Sequence, residues 1–365
     1  EGVKSIMESA FAGEKYLEKI TLPDSIEFVG DGAFAYTPLT SLNIPKKMGE
    51  ITGSIFTGSA IKQFNVDSRN PYYKSYNGDI YSKDMKELVV AAPGKFSEPG
   101  YNFVIPQKVK TINESAFYCT KIENIKIPSN VTDVEKMAFA GCHNLSEVIV
   151  ENGVRRFYDS VFLACSALKV VHLPASVDYI GFYTFGYNYS VDLDALRQML
   201  DAQGLSSVGL NEYNYESYAE LLGYSGDAFL SCVPDPEFKL YAPVNSVGHQ
   251  YAQNFDIAYQ KASVISKVVN KDSAMQISWS YSDNVFYTIL YRKADAGSYH
   301  EIARFHEGET SYVDENISSN VLYTYSIKTV YMDGAENWDK AGISCCYVSP
   351  TKLRTIKITN KGVQL

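Results

Sequence analysis

The residues best able to do chemistry are few. Cys119, Cys142 and Cys165 recur at steps of 23 residues, each three residues before an apolar segment. Such spacing puts equivalent positions on successive turns of a repeating chain, roughly 5 Å apart if the turns pair as strands. That separation is within reach of a disulfide, but side chains leaving a sheet in parallel suit the bond poorly. A zinc site would need ligands converging from several directions, and no C-x-x-C pair supplies them. A buried ladder of small apolar thiols is the favoured reading. Cys345 and Cys346 are adjacent, so on a strand one points inward and the other outward. His143, His172, His249, His300 and His306 show no metal-ligand spacing, and no nucleophile elbow, phosphate loop or dinucleotide fingerprint occurs. Acidic residues are scattered without the D-x-D pattern of calcium loops. The sequence therefore predicts no enzyme, no cofactor and no metal site, leaving open only a catalytic pair assembled by folding.

The elements that position these residues come from a repeat. Ala10-Phe11, Ala33-Phe34, Ile55-Phe56, Ala116-Phe117, Ala138-Phe139, Val161-Phe162 and Thr184-Phe185 recur at 22 or 23 residues within each uninterrupted run. Five or six residues after each Phe an apolar-x-x-apolar-x-apolar segment follows, often closed by Pro: Leu17-Ile20-Leu22-Pro23, Leu39-Leu42-Ile44-Pro45, Ile122-Ile125-Ile127-Pro128 and Leu168-Val171-Leu173-Pro174. The alternating end is a half-buried strand. One such strand cannot bury its face alone, so neighbours must stack into a parallel sheet over a continuous core. Proline then ends the ladder, having no N–H to donate. The Phe fills the opposite wall. The period predicts a leucine-rich-repeat solenoid.

The pattern apolar-x-x-Ile-x-Leu-Pro-x-x-Val-x-x-Ile-x-x-x-Ala-Phe resembles the BspA-like leucine-rich repeats of bacterial and protist surface proteins. The resemblance covers about 185 residues. It implies a right-handed coil with a parallel sheet, and an adhesion or binding role. Residues 70–95 interrupt the period; Asn77-Gly78 between Tyr73–Tyr76 and Asp79–Ser82 signals a hairpin, an insert also seen in that family. Residues 190–261 are expected to cap the coil, with one helix over Val191–Leu200, a short one at Tyr218–Leu222, and a helix from Ser246 to Gln253 beside a last strand. Eleven tyrosines lie between Tyr179 and Tyr259; they either pack this cap or offer a recognition surface.

Residues 262–350 read as a separate all-β unit. Ala274–Trp279, Phe286–Tyr291 and Leu322–Val330 alternate as strands, separated by turn-rich stretches at Ala294–Ser298 and Met332–Glu336. They resemble a fibronectin type III β-sandwich, in which Trp279 would match the buried Trp and Tyr323 the tyrosine-corner residue. Residues 351–365 look like the start of a further domain, and the chain opens on the tail of a repeat. A fragment of a longer protein is therefore expected, with leader and anchor outside it.

The chain is mainly β with some α. Its 365 residues carry a net charge of −9, with no run of Lys or Arg, which argues against nucleic acid. No 18-residue apolar stretch suggests membrane insertion. The expected binding face is the solvent side of the repeat strands: Lys19, Thr21, Ser41, Asn43, Gln63, Asn65, Asn124, Lys126, Glu147, Ile149, Val170 and His172. The apolar end at Ile149 and Val170 calls for a cover. The resemblance implies a non-catalytic, extracellular or cell-surface monomer that engages a host or neighbouring-cell protein or glycan. The alternative is an accessory region of a larger secreted glycan-degrading enzyme.

Overall fold

The computed structural model describes residues 2–208, 210, 218–219, 221–222, 230–243, 245–271, 273–280, 285–306, 308–332, 336–347, 357–359 and 362–364. Two compact units divide the chain: residues 1–241 with 245–260, and residues 242–244 with 261–365.

Each repeat of the first unit is one coil with three ribbons. The front ribbon holds the alternating strands. Ser41–Ile44 pairs in parallel with Gln63–Val66. Asn124–Ile127, Glu147–Val150, Val170–His172, Lys239–Ala242 and Ala258–Lys261 form a five-stranded sheet in that spatial order. The second ribbon is made of two-residue parallel strands at Thr111–Ile112, Asp133–Val134, Arg156–Phe157 and Tyr179–Ile180. The third is the turn around each Phe. Phe117 N–H donates to the Ala138 carbonyl (2.8 Å), and Phe139 N–H to that of Val161 (2.9 Å). Residues two before and two after the Phe sit in left-handed backbone, as at Ser115 and Cys119 (φ 58° and 54°) and Met137 and Gly141 (φ 54° and 72°). This conformation is costly for residues with a Cβ. It recurs because the flanking N–H groups also reach the next coil, Cys119 to Ala140 O and Gly141 to Leu163 O.

Phenyl rings fill the coil in two stacks. Phe11, Phe34 and Phe56 form the first, at 5.6 and 6.3 Å between centroids. Phe117, Phe139, Phe162 and Phe185 form the second, at 4.6, 5.2 and 5.3 Å. The insert separates them. Its strands Tyr73–Tyr76 and Asp79–Ser82 make a hairpin whose turn, Asn77-Gly78, has positive φ at both residues. Glu87–Val90 then pairs antiparallel with Asp79–Ser82 and parallel with Thr111–Ile112. The meander is thereby stitched into the second ribbon as though it were a coil.

Three details differ from the sequence expectation. Leu17, Ile20 and Leu22 pack partly buried against the core, but residues 17–23 form no strand. Lys19 and Thr21 therefore lie on a segment that keeps the alternation without making ladder bonds. The cap is also more elaborate than one helix and strand. Tyr187–Val191 and Leu230–Pro234 form an antiparallel pair, and the helix Leu193–Ala202 between them, capped by Asp192, has its own small core around Leu196, Leu200 and Leu210. The second helix, Val247–Asn254, is capped by Ser246 and seats Tyr251 against Phe185, whose N–H and carbonyl both meet the Tyr251 hydroxyl. Finally, the tyrosines split: Tyr187, Tyr241 and Tyr251 are buried, whereas Tyr179, Tyr183 and Tyr189 are exposed. Tyr213, Tyr215 and Tyr224, and part of the helix expected at Tyr218–Leu222, lie outside the described residues.

The second unit has a three-stranded antiparallel sheet, Ile265–Lys271, Ala274–Trp279 and Ser311–Asp314, and a four-stranded one. The latter runs His300–Phe305, Val285–Ala294, Leu322–Tyr331 and Glu336–Cys346 in spatial order. Met275, Ile277 and Trp279 from one sheet share a buried cluster with Leu290, Tyr325 and Ile327 from the other. Arg292 pairs with the buried Asp314 (2.7 Å), which also accepts from the Tyr325 hydroxyl (2.8 Å). Sequence reading located Ala274–Trp279 residue for residue, but missed the edge strands His300–Phe305 and Ser311–Asp314, whose alternation is weak. Of the terminal stretch, Lys357–Thr359 and Gly362–Gln364 pair antiparallel; the rest of 351–365 lies outside the described residues, as do 333–335 of the turn expected at Met332–Glu336.

Candidate functional site

Strand register fixes which front-face side chains are neighbours. Glu147 stands beside Asn124, and Ile149 between Lys126 and His172. Val170 and His172 stand beside Lys239 and Tyr241. Two rows result: Asn124, Glu147, Val170, Lys239 and, parallel to it, Lys126, Ile149, His172, Tyr241. Their backbones are pinned by the ladder, so the groups are held at fixed spacing before any ligand arrives.

Of the twelve residues expected to form one face, the structure brings six together in this sheet. Ser41, Asn43, Gln63 and Asn65 are exposed as expected but belong to the separate two-stranded sheet. Gln63 is not the neighbour of Asn124 because the meander intervenes: Gly78 supplies the carbonyl that the Phe64 N–H reaches (2.8 Å). The amides on that smaller sheet satisfy one another. Gln63 donates to Asn65 (2.7 Å) and Asn65 to Asn43 (3.1 Å), which leaves less for a ligand to gain. Sequence reading also missed residues that adjoin or extend the face. Asn102 and Val104 are exposed on the turn before Asn124, with Phe103 and Ile105 buried between and after them. The repeat is expected to resume at Val104-Ile105-Pro106, and Ile105-Pro106 does repeat Ile127-Pro128 at a step of 22, but residues 102–105 form no strand. Lys239 and Tyr241 were missed because the strand that carries them lies beyond the last regular repeat.

The face grades from polar to apolar. Asn124 is exposed, and Lys126 pairs with Glu151 (2.5 Å), which also accepts the Ser129 N–H (2.8 Å). Ile149 is half-buried and Val170 is 40% exposed. The His172 ring stacks on Tyr241 at 4.6 Å, so the terminal strand supplies part of the cover that the apolar end called for. At the margin Lys169 bridges Asp235 (2.9 Å) and Glu237 (3.1 Å). Burial pushes the Asp235 carboxyl up, but the Lys169 ammonium and its other donors outweigh that and hold it below the usual range. Such a surface can hydrogen-bond at one end and cover an apolar group at the other.

The cysteines form no disulfide among the described residues. Cys142 donates to the Phe117 carbonyl (3.0 Å) and Cys165 to that of Phe139 (3.2 Å). Burial pushes the Cys142 thiol up to about 12 and Cys165 well above its ordinary value. Since the thiolate is the nucleophile, native protein treated with iodoacetamide should be alkylated at the exposed Cys346 and spared at Cys142 and Cys165 until denaturant is added. Peptide mapping that found Cys142 modified as fast as Cys346 would contradict this burial. Among the described residues no cluster of three His, Cys, Asp or Glu is placed to hold a metal, and no helix is long and apolar enough to cross a membrane.

Comparison with known proteins bears on the coil. No curated protein matches the sequence. Among solved structures, the pneumococcal vaccine antigen PcpA is similar at 15% identity and a TM-score of 0.43, over 72% of this chain and 66% of that one. A leucine-rich cell surface protein of Faecalibacterium prausnitzii is similar at 22% identity and a TM-score of 0.38, over 50% of this chain and 58% of that one. A leucine-rich repeat protein of Bacteroides capillosus is 27% identical with a TM-score of 0.24, over 30% of this chain and 83% of that one. The chain thus spans less than two thirds of the first two. Residues 1–83 and 97–195 match the BspA type leucine rich repeat region in six copies, and with the Phe-stacked parallel coils just described, this part of the chain is a BspA-type leucine-rich-repeat region.

Proposed function

We propose that the protein is a non-catalytic binding protein of the cell surface or extracellular space, which engages a protein or glycan of a host or neighbouring cell. The observation that carries this reading is the double row from Asn124 and Lys126 to Val170 and His172, closed at its end by the buried Tyr241, where hydrogen-bonding groups and an apolar step share one rigid parallel sheet. BspA-like repeats belong to surface proteins, which supports the location. The second unit is read as a fibronectin type III-like spacer. In its favour are the three-plus-four strand order, the buried Trp279 on an early strand, and the Tyr323 hydroxyl that accepts the Ser318 N–H at 2.8 Å. The chain acts as a monomer.

Screening the whole chain against extracellular-matrix proteins and glycans supplies the ligand. Replacing Asn124, Lys126 and Glu147 together by Ala should leave the fold intact, since none is buried. Affinity for that ligand should fall at least about tenfold, or ~1.4 kcal/mol. An unchanged Kd in the triple variant would place binding elsewhere.

A further inference from the structure

The meander leaves a mark on another edge of the coil. Between the turn after Phe56 and the turn after Phe117, the insert puts Pro93–Ser97 where a further Phe turn would otherwise stand. Its backbone ties to both sides, Gly94 N–H to the Ile61 carbonyl (2.7 Å) and Ala91 N–H to that of Ala116 (3.0 Å). The mismatch opens a cleft of about 410 Å³ across the turns that follow Phe11, Phe34, Phe56 and Phe117. That is within the usual size of a small-ligand site.

Three features of the cleft point to one kind of ligand. The first is a polar group without a partner. Ser59 lines the cleft and is only 4% exposed, yet its hydroxyl has no hydrogen-bond partner among the described residues. Its neighbours are committed: Thr37 donates to the Phe34 carbonyl (2.9 Å) and Thr120 meets the Cys142 thiol (3.5 Å). A buried polar group of this kind calls for a partner. The second is an aromatic wall. The Tyr36 ring, on a residue 64% exposed, lies against Gly58 so closely that a Cβ there would come within 2.6 Å of two ring carbons. Glycine at position 58 thus lets the ring lie down over the cleft. The third is charge. Lys15 and Lys121 are exposed at the rim and form no salt bridge among the described residues, while no Asp or Glu lines the cleft. In a chain of net charge −9, this is a local excess of positive charge.

We propose that this cleft binds an acidic oligosaccharide. The Tyr36 ring would take the apolar face of a sugar, Ser59 a sugar hydroxyl, and Lys15 and Lys121 its carboxylates. The site is distinct from the front face and stands whether or not that face binds.

Calorimetric titration of the whole chain with a hyaluronan tetrasaccharide tests it, since that probe carries carboxylates on alternate sugars. Saturable binding is expected, with tetra-N-acetylchitotetraose (chitotetraose below), a neutral chain of equal length, at least about tenfold weaker. The Lys15→Met/Lys121→Met variant alters only exposed side chains and should weaken hyaluronan binding about tenfold or more. Tyr36→Asn, which tolerates the left-handed backbone, should weaken it for chitotetraose as well. The triple front-face variant should bind as the unaltered chain does. The bound probe should also slow alkylation of Cys119, which lines the cleft, and leave Cys346 unaffected. Absence of saturable binding, equal affinity for chitotetraose, or full affinity in the double lysine variant would overturn the proposal.

Discussion

Phe139→Ala should cost about 3–5 kcal/mol of folding stability, the usual cost of emptying a phenyl site in a packed core. Phe139 is fully buried, and its ring is stacked between Phe117 (4.6 Å) and Phe162 (5.2 Å). Its carbonyl accepts the Cys165 thiol and its N–H reaches Val161, so the backbone is fixed on both sides and cannot collapse into the void. Phe11, at the end of its stack and only partly buried, should lose less when truncated, because part of its ring area is already in water. Urea denaturation of both variants measures the difference. A loss below about 0.5 kcal/mol at Phe139 would be a surface-like response, and the repeat would have to be re-phased.

Lys95→Met should be comparably damaging for an electrostatic reason. The Lys95 ammonium meets Asp79 at 2.8 Å, with side-chain exposures of 12% and 3%. It also donates to the Asn77 carbonyl of the hairpin turn, and the second Asp79 oxygen accepts the Ala92 N–H (2.8 Å). Removing one partner of a buried pair strands the other charge, at about 3–5 kcal/mol. Burial already pushes the Asp79 carboxyl above its ordinary value, against the pull of Lys95 and the Ala92 N–H. A carboxyl raised in the folded state is best accommodated when protonated, so its contribution to stability is greatest at low pH and is lost as pH rises through its folded pKa. Without Lys95 the folded pKa rises further. The deficit relative to the unaltered chain should therefore be largest at pH 7 and shrink towards pH 5. Adding Asp79→Asn should recover part of it. A deficit independent of pH would mean that the pair is not what anchors the insert.

The coil was legible because its period records burial. Phe117, Phe139 and Phe162 repeat where the core repeats, and Ile125, Val148 and Val171 alternate where the front strands do. Hydrogen-bonded adjacency is a different property, and period alone does not carry it. Asn65 and Lys126 occupy equivalent places in their repeats, yet a meander of some 25 residues stands between their strands. The resumption of the repeat at Val104-Ile105-Pro106 was legible, yet that segment, with Phe103 and Ile105 inward rather than the usual pair of aliphatics, forms no strand. Lys239 and Tyr241 join the face through pairing between segments 66 residues or more apart, which no local pattern announces. The Ser59 hydroxyl was invisible for another reason. Nothing in the sequence distinguishes a serine whose bond is made from one whose bond is not.

The most direct test of the central claim, that the front rows carry recognition, is hydroxyl-radical footprinting of the whole chain with and without the ligand selected from the matrix and glycan screen. Labelling reads side-chain exposure, and Val170 (40% exposed), Ile149 and His172 are accessible reporters on the face. Phe286 (53%) and Leu322 (45%) report on the second unit. The account predicts that ligand suppresses labelling at Val170, Ile149 and His172 and leaves Phe286 and Leu322 unchanged. Suppression confined to Phe286 and Leu322, with Val170 labelled as in the free protein, would contradict it.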